Sequence, residues 1–196
     1  INAEQEALDN ADRARDEADR SRQVAAFSRE VLSSANPRVA FDYDTTLLRE
    51  MLEDAATRIN TELDGQPAVQ AAMRSTVGMA LASIGRYGEA EPILAAALEG
   101  QREFLGSDSE ETLRVMVDLA NVTADLGRFD EALALYEEAI DGLTRTSGAD
   151  VPFTLEVQAM YGVCLSDMAR FDESREVLYH VYERQKEILG EEAQST

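Results

Sequence analysis

Residues 123–140 read TADLGRFDEALALYEEAI, and the same pattern occurs twice more in the chain. It stands 42 residues earlier as LASIGRYGEAEPILAAAL at 81–98, and 42 residues later as LSDMARFDESREVLYHVY at 165–182. Each copy contains a small residue, an arginine and an aromatic residue in succession, followed by apolar residues at helical spacing. Repetition at a fixed period predicts a stack of similar structural units.

Each unit is predicted to consist of two helices joined by a tight turn. The first helices are predicted at 68–84, 109–126 and 152–168, and the second helices at 88–105, 130–146 and 172–189. The glycine or alanine before each arginine is predicted to end the first helix in a left-handed conformation. Asp130 and Asp172 are predicted to cap the second helices. Since one hairpin cannot bury its apolar faces alone, the hairpins must stack around a continuous core.

Columns of small residues run through the three copies and explain how the hairpins can pack. Glycine in the middle of a helix costs about 1 kcal/mol relative to alanine, and it is kept where a neighbouring helix must come close. The residues predicted to pack the repeats together are Gly78, Ala90, Ala97, Ala120, Ala132, Ala139, Gly162 and Ser174.

The pattern resembles the tetratricopeptide repeat (TPR), specifically the long variant found in kinesin light chains and many bacterial proteins. The small residues of the columns above and the phrases LGRFDEALALYEEAI and FLGSDSEETL carry this resemblance. It implies an all-α fold, a right-handed α-α superhelix (TPR solenoid) with an N-terminal helical extension.

The predicted organisation has five parts. They are an N-terminal helix at 1–34, the second helix of a degenerate unit at 35–66, and TPR units at 67–108, 109–150 and 151–192. LGEEAQST at 189–196 aligns with LGSDSEET at 105–112. We therefore expect a further first helix to start there and the array to be truncated at the C-terminal end.

Composition excludes several classes of function. The net charge is −21, which argues against nucleic acid or an anionic membrane surface as partner. No apolar run approaches the ~20 residues that span a bilayer. The single cysteine, Cys164, and the single histidine, His180, form no metal-ligand or nucleophile pattern. We predict no catalytic residue, no metal and no cofactor.

The TPR resemblance implies a peptide-binding groove lined by the first helices. Arg114 and Asn121 are predicted as its main polar contacts. Long TPRs often carry a pair of asparagines that bond a peptide backbone, but Val117 and Asp118 stand at the matching positions here. The predicted groove residues are Ser75, Met79, Arg114, Val117, Asn121, Asp125, Glu156, Ala159 and Val163.

A second resemblance concerns the order of segments. FSREVLSSANP at 27–37, followed by TLLREMLEDAATRINTELDGQPAVQAAM at 46–73 and then long TPRs, resembles the region after the membrane helix in bacterial TPR-containing serine/threonine protein kinases. The resemblance implies a non-catalytic sensor or scaffold on the extracytoplasmic side, with the kinase domain and a membrane anchor outside this sequence.

The sequence therefore predicts a protein-interaction module that binds a protein or peptide. One alternative is a structural module that forms a homodimer through the N-terminal helix or through an open last helix. Alanines at 7, 11, 14 and 18 form a thin heptad-like stripe that suits the first of these contacts. A third interpretation is an enzyme that uses the acidic surface of the second unit, which tight binding of a divalent metal would reveal.

Overall fold

The computed structural model of the chain describes residues 45–63 and 65–194, and within these ranges all regular structure is α-helical. We number the helices in chain order as α1 (Thr45–Glu62), α2 (Pro67–Ser83), α3 (Tyr87–Leu105), α4 (Glu110–Asp125), α5 (Phe129–Thr146), α6 (Pro152–Asp167) and α7 (Phe171–Gln194). Helices α2 to α6 begin and end within one residue of the predicted positions. The predicted all-α repeat fold is confirmed.

The helices form three successive hairpins. Hairpin 1 is α2 with α3, hairpin 2 is α4 with α5, and hairpin 3 is α6 with α7. Helices α3 and α5 also pack against the first helix of the next hairpin, and α1 packs against α2. One apolar core therefore continues from Leu52 and Ile59 on α1 to Leu165 on α6, as expected for stacked repeats.

The three hairpin turns have the same backbone geometry. The N–H groups of Gly85, Gly127 and Ala169 donate to the carbonyl three residues earlier, and the next N–H donates to the carbonyl five residues earlier, at 2.8–3.1 Å. Their φ angles are 76°, 78° and 59°. This is the Schellman ending of a helix, which needs a left-handed residue. The predicted turn is confirmed, and hairpin 3 makes it with an alanine, at a cost of about 1 kcal/mol.

The predicted caps of the second helices are wrong. Asp130 and Asp172 are each the second residue of their helix, because the turn is so short that the preceding phenylalanine is already helical. The N-cap position of α5 is Arg128, whose side chain makes no capping bond to the backbone. Instead, the arginine of each turn pairs with the glutamate three residues further along. The two aspartates still lie in the first turn, where they oppose the helix dipole.

Glycines bring the two helices of a hairpin together. A Cβ atom added to Gly78 would lie 2.7 Å from Cγ of Leu94, and one added to Gly162 would lie 2.9 Å from Cγ of Leu178. Leucine therefore occupies the space that a side chain on the first helix would need. The eight small residues predicted to pack the repeats are all buried.

A threonine closes each junction between hairpins. The hydroxyl groups of Thr112 and Thr154 donate to the carbonyl oxygens of Gly106 and Gly148 at 2.8 and 2.9 Å. Both threonines are fully buried. The pairs repeat at 42 residues, so the glycine and the threonine six residues later were visible in the sequence, but our sequence analysis did not identify them.

The expected end of the last second helix near residue 189 is wrong, because α7 continues through Gly190 to Gln194. Gly106 and Gly148 have positive φ angles and are held by their threonines. In the described part of the chain no further first helix follows Gly190. The predicted N-terminal helix at 1–34 lies outside the described residues.

Candidate functional site

The first helices of the three hairpins form the inner side of the stack. Helix α4 contacts both α2 and α6 directly, whereas successive second helices lie further apart. The first helices thus line the inside of the curve and the second helices its outside. We call the surface of α2, α4 and α6 the inner face, and all nine predicted groove residues belong to these helices.

One row of the inner face has a single residue from each hairpin at the same position. Met79 is 37% exposed, Val163 is 52% exposed, and Asn121 lies half-buried at the equivalent position on α4. Both apolar side chains are among the most exposed of their kind in the described chain. The inner face therefore offers two apolar contacts at the positions that flank one amide.

Asn121 is fixed by a tyrosine of the same hairpin. The hydroxyl of Tyr136 on α5 donates to Oδ1 of Asn121 at 2.5 Å. Burial raises the pKa of this phenol well above its usual value, so Tyr136 remains a donor. The amide nitrogen of Asn121 has no hydrogen-bond partner within the described ranges, which leaves its two N–H groups for a ligand. Our sequence analysis missed the role of Tyr136, although its polar group distinguishes it from the leucines in the same column.

Arg114 is less available than the sequence suggested. Its Nη2 lies 2.7 Å from Oε1 of Glu110 one helical turn earlier, and its guanidinium stacks 4.3 Å from the ring centroid of Phe153 on α6. Such a cation–π contact favours a fixed position for the side chain. Arg114 therefore connects hairpins 2 and 3 as well as lying on the inner face.

The two positions that match the asparagine pair of long TPRs are filled differently here. Val117 is 3% exposed, so its side chain packs into the core and presents almost nothing to a ligand. Asp118 is half-buried, and desolvation raises the pKa of its carboxyl group to about 6, against the opposing effect of Arg114. The inner face thus contains a carboxylate in a poorly solvated position.

The remaining predicted groove residues complete a face that is acidic or neutral. Asp125 and Glu156 are exposed, and Ser75 and Ala159 are half-buried. Glu110 pairs with Arg114, and Asp118 adds a further carboxylate. The face therefore favours a neutral or basic ligand over an acidic one.

Within the described residues, no group of three or more His, Cys, Asp or Glu side chains is arranged to hold a metal ion. Cys164 is buried, and burial raises the pKa of its thiol, which disfavours the reactive thiolate. None of the helices in this part of the chain is long and apolar enough to cross a bilayer.

Residues 69–145 and 117–187 match the family model described as Tetratricopeptide repeat. A search of curated protein sequences found no significant match.

Several solved structures share the fold at low sequence identity. A kinesin-light-chain-like protein of Podosopora anserina with nearly identical TPR-like repeats superposes with a TM-score of 0.64 at 18% identity, over 92% of this chain and 93% of that one. A form of that protein with one substitution gives 0.61 at 18% identity, over 92% and 93% of the two chains. BtubC (BKLC) from P. vanneervenii gives 0.59 at 19% identity, over 86% of this chain and 74% of that one.

Proposed function

The chain belongs to the tetratricopeptide repeat family, and from that premise we propose that its inner face binds an extended peptide segment of a partner protein. Tetratricopeptide repeats are scaffolds for protein–protein interaction and are typically non-catalytic. The observation that carries the proposal is the row of Met79, Asn121 and Val163 on three successive first helices.

This row has the composition of a peptide site. The N–H groups of Asn121 bond a backbone carbonyl of the peptide, and its orientation is set in advance by Tyr136. A preoriented contact avoids part of the entropy cost of binding. Met79 and Val163 contact apolar side chains of the peptide on either side. The carboxylates of the face exclude strongly acidic segments.

Selection of a displayed random-peptide library on the full chain tests this proposal. We expect the selected peptides to be neutral or basic, with two apolar residues separated by a spacer. Asn121→Ala and Val163→Glu should each weaken their binding at least about tenfold, which corresponds to about 1.4 kcal/mol. Phe104→Ala, an exposed phenylalanine on α3, is the control. Equal affinity for all three variants would overturn the assignment.

Self-association is a second candidate function, and the surface of α7 supports it. Phe171 and Tyr179 are each 64% exposed and Tyr182 is 57% exposed. Exposed aromatic residues of this density are typical of contact surfaces. Sedimentation of the full chain tests it. A dimer that dissociates in Tyr179→Glu supports this candidate, and a monomer at all concentrations refutes it.

We also propose that the chain is the non-catalytic region of a bacterial membrane-bound serine/threonine kinase. The support is the order of segments at 27–37 and 46–73 described above. Sequencing the coding region upstream of Ile1 tests it. A stretch of ~20 apolar residues preceded by HRD and DFG motifs supports this placement, and an upstream region without them refutes it.

A further inference from the structure

The outer side of the stack contains a recurring cleft. Arg74, Met116 and Gln158 stand at equivalent positions on α2, α4 and α6, spaced by 42 residues. In each case the residue lies between the second helix of its own hairpin and the second helix before it. Clefts open at the first and third of these positions, with volumes of about 340 and 590 Å³.

The two clefts are built from equivalent residues. Ala56 and Ile140 form one wall, and Ile93 and Val177 form the opposite one. At the middle position Met116 is 0% exposed, so its unbranched side chain fills the space that the other two positions leave open. The enclosed position thus carries an apolar residue, whereas the two positions that line clefts carry polar residues.

In the Arg74 cleft the guanidinium has hydrogen-bond partners within the protein. The guanidinium of Arg74 donates to Oδ1 of Asn60 at 2.7 Å and to Oε1 of Gln70 at 3.2 Å. Its charge is therefore bound within a network of neutral amides from α1 and α2, and no described buried polar atom of this cleft lacks a partner.

The Gln158 cleft contains a polar atom without a hydrogen-bond partner. Oε1 of Gln158 is buried and has no hydrogen-bond partner in the described structure. A buried acceptor without a donor costs about 1–3 kcal/mol. The hydroxyl of Tyr161, which also lines the cleft, already donates to Oε1 of Glu137 at 2.9 Å. Tyr179 and His180 also line the cleft, but neither donates to Gln158, so a ligand could supply the missing donor.

Two carboxylates line the same cleft, together with the imidazole of His180. Glu176 and Glu183 lie two helical turns apart on α7 and both line the cleft. Neither has an ion-pair partner among the residues that the structure describes. Ile140 and Val177 add apolar surface, and Tyr179 adds an aromatic ring that can contact a cation.

We propose that the Gln158 cleft binds a lysine or arginine side chain of a partner protein. The aliphatic stem of such a side chain packs against Ile140 and Val177. Its charged head donates to Gln158 and neutralises Glu176 and Glu183. This site lies on the outer side of the stack and is independent of the inner face, so the array can hold two segments of a partner at once.

Backbone NMR of the labelled full chain tests the proposal, with N-acetyl-lysine methylamide and N-acetyl-arginine methylamide as probes. We expect saturable shifts at residues of the cleft. N-acetyl-norleucine methylamide, which has a similar stem and no charge, should bind at least tenfold more weakly. Equal shifts for all three probes would overturn the proposal.

Variants then locate the site. Gln158→Met copies the closed middle position and should abolish the shifts, whereas Arg74→Met at the equivalent cleft is the matched control and should keep them. The double variant Glu176→Gln/Glu183→Gln keeps the size of both side chains, removes their charges and should weaken binding at least tenfold. Shifts that persist in Gln158→Met and in the double variant would assign them to the acidic surface in general and refute the site. Asn121→Ala should leave them unchanged, which separates this result from the fate of the inner face.

Discussion

Hairpins 2 and 3 have nearly the same sequence pattern, yet equivalent side chains in them have different environments. Phe129 and Ile140 in hairpin 2 are half-buried, whereas the equivalent Phe171 and Tyr182 in hairpin 3 are 64% and 57% exposed. Helix α6 covers hairpin 2, while the described chain has no helix on the far side of α7. The burial of a residue in a repeat thus depends on the neighbouring hairpin as much as on its own.

The two hairpins also differ in polarity at equivalent positions. Hairpin 2 fills its outer space with Met116, and hairpin 3 places Gln158 there. At a second pair of equivalent positions hairpin 2 has the polar residue, the poorly solvated Asp118, and hairpin 3 has the apolar Met160. Each hairpin thus has one polar residue at a position where the other is apolar, on opposite sides of the stack.

The largest expected difference between hairpins 2 and 3 is in the loss of stability caused by Leu143→Ala and by Gln185→Ala. The two residues are equivalent, but Leu143 is 1% exposed and Gln185 is exposed. Removing a buried leucine costs about 2–5 kcal/mol because a cavity remains, while a surface change costs less than about 0.5 kcal/mol. Urea unfolding followed by circular dichroism measures both. Similar losses for the two variants would show that hairpin 3 is as enclosed as hairpin 2.

A second test uses the carboxylate of Asp118. Burial raises its pKa to about 6 in the folded protein, against about 3.9 in the unfolded chain. The folded state therefore keeps the proton over a range in which the unfolded state has lost it, and the free energy of unfolding falls as pH rises from about 4 to about 6. Because one pKa unit corresponds to about 1.4 kcal/mol, the cost at pH 7 is at most about 3 kcal/mol.

We therefore expect Asp118→Asn to be more stable than the parent chain at pH 7. The advantage should shrink as pH is lowered and disappear near pH 4. Denaturant unfolding of both proteins over this range gives the difference directly, and Asp125→Asn, an exposed aspartate of the same helix, is the control. A difference that does not change with pH would contradict the assigned pKa.

The sequence was sufficient to predict the helices and their turns, because both follow from local chemistry. The glycine or alanine before Arg86, Arg128 and Arg170 marks a left-handed residue, and the structure has it at all three sites. The end of α7 was predicted wrongly: the helix continues through Gly190, although the sequence there repeats that of the turn at Gly106. Thr196 stands six residues after Gly190, as Thr112 does after Gly106, so the local sequence alone does not separate the two cases.

The inner face could be predicted only as a set of positions. Column matching identified Met79, Asn121 and Val163 as equivalent, which requires only the repeat length. It could not show that Tyr136 orients Asn121, that Glu110 and Phe153 hold Arg114, or that the side chain of Val117 is enclosed. These facts depend on contacts between helices and on the burial of individual atoms.

The junction threonines provide a smaller test. Thr112→Val and Thr154→Val keep the side-chain shape but remove the hydrogen bond to a glycine carbonyl. Thr112 also contacts the hydroxyl of the cap residue Ser109 at 2.7 Å, whereas the cap position before Thr154 is Val151, which makes no side-chain bond. We expect losses of about 2 kcal/mol for the first and about 1 kcal/mol for the second. Equal losses would show that the bond to Ser109 contributes nothing.

The smallest expected effect concerns the turn that hairpin 3 makes with an alanine. Ala169 has a φ angle of 59° where Gly85 and Gly127 have 76° and 78°, and a Cβ atom in this conformation is strained. Ala169→Gly should therefore stabilise hairpin 3 by about 0.5–1 kcal/mol, and Gly127→Ala should destabilise hairpin 2 by a similar amount. Hydrogen exchange of α7 amides is the better measurement, because an end hairpin can open without unfolding of the rest. Slower exchange in α7 with an unchanged global midpoint would show that hairpin 3 opens on its own. A change in both the exchange of α7 and the global midpoint would show that the stack unfolds as one unit. No change in either quantity would contradict strain at Ala169.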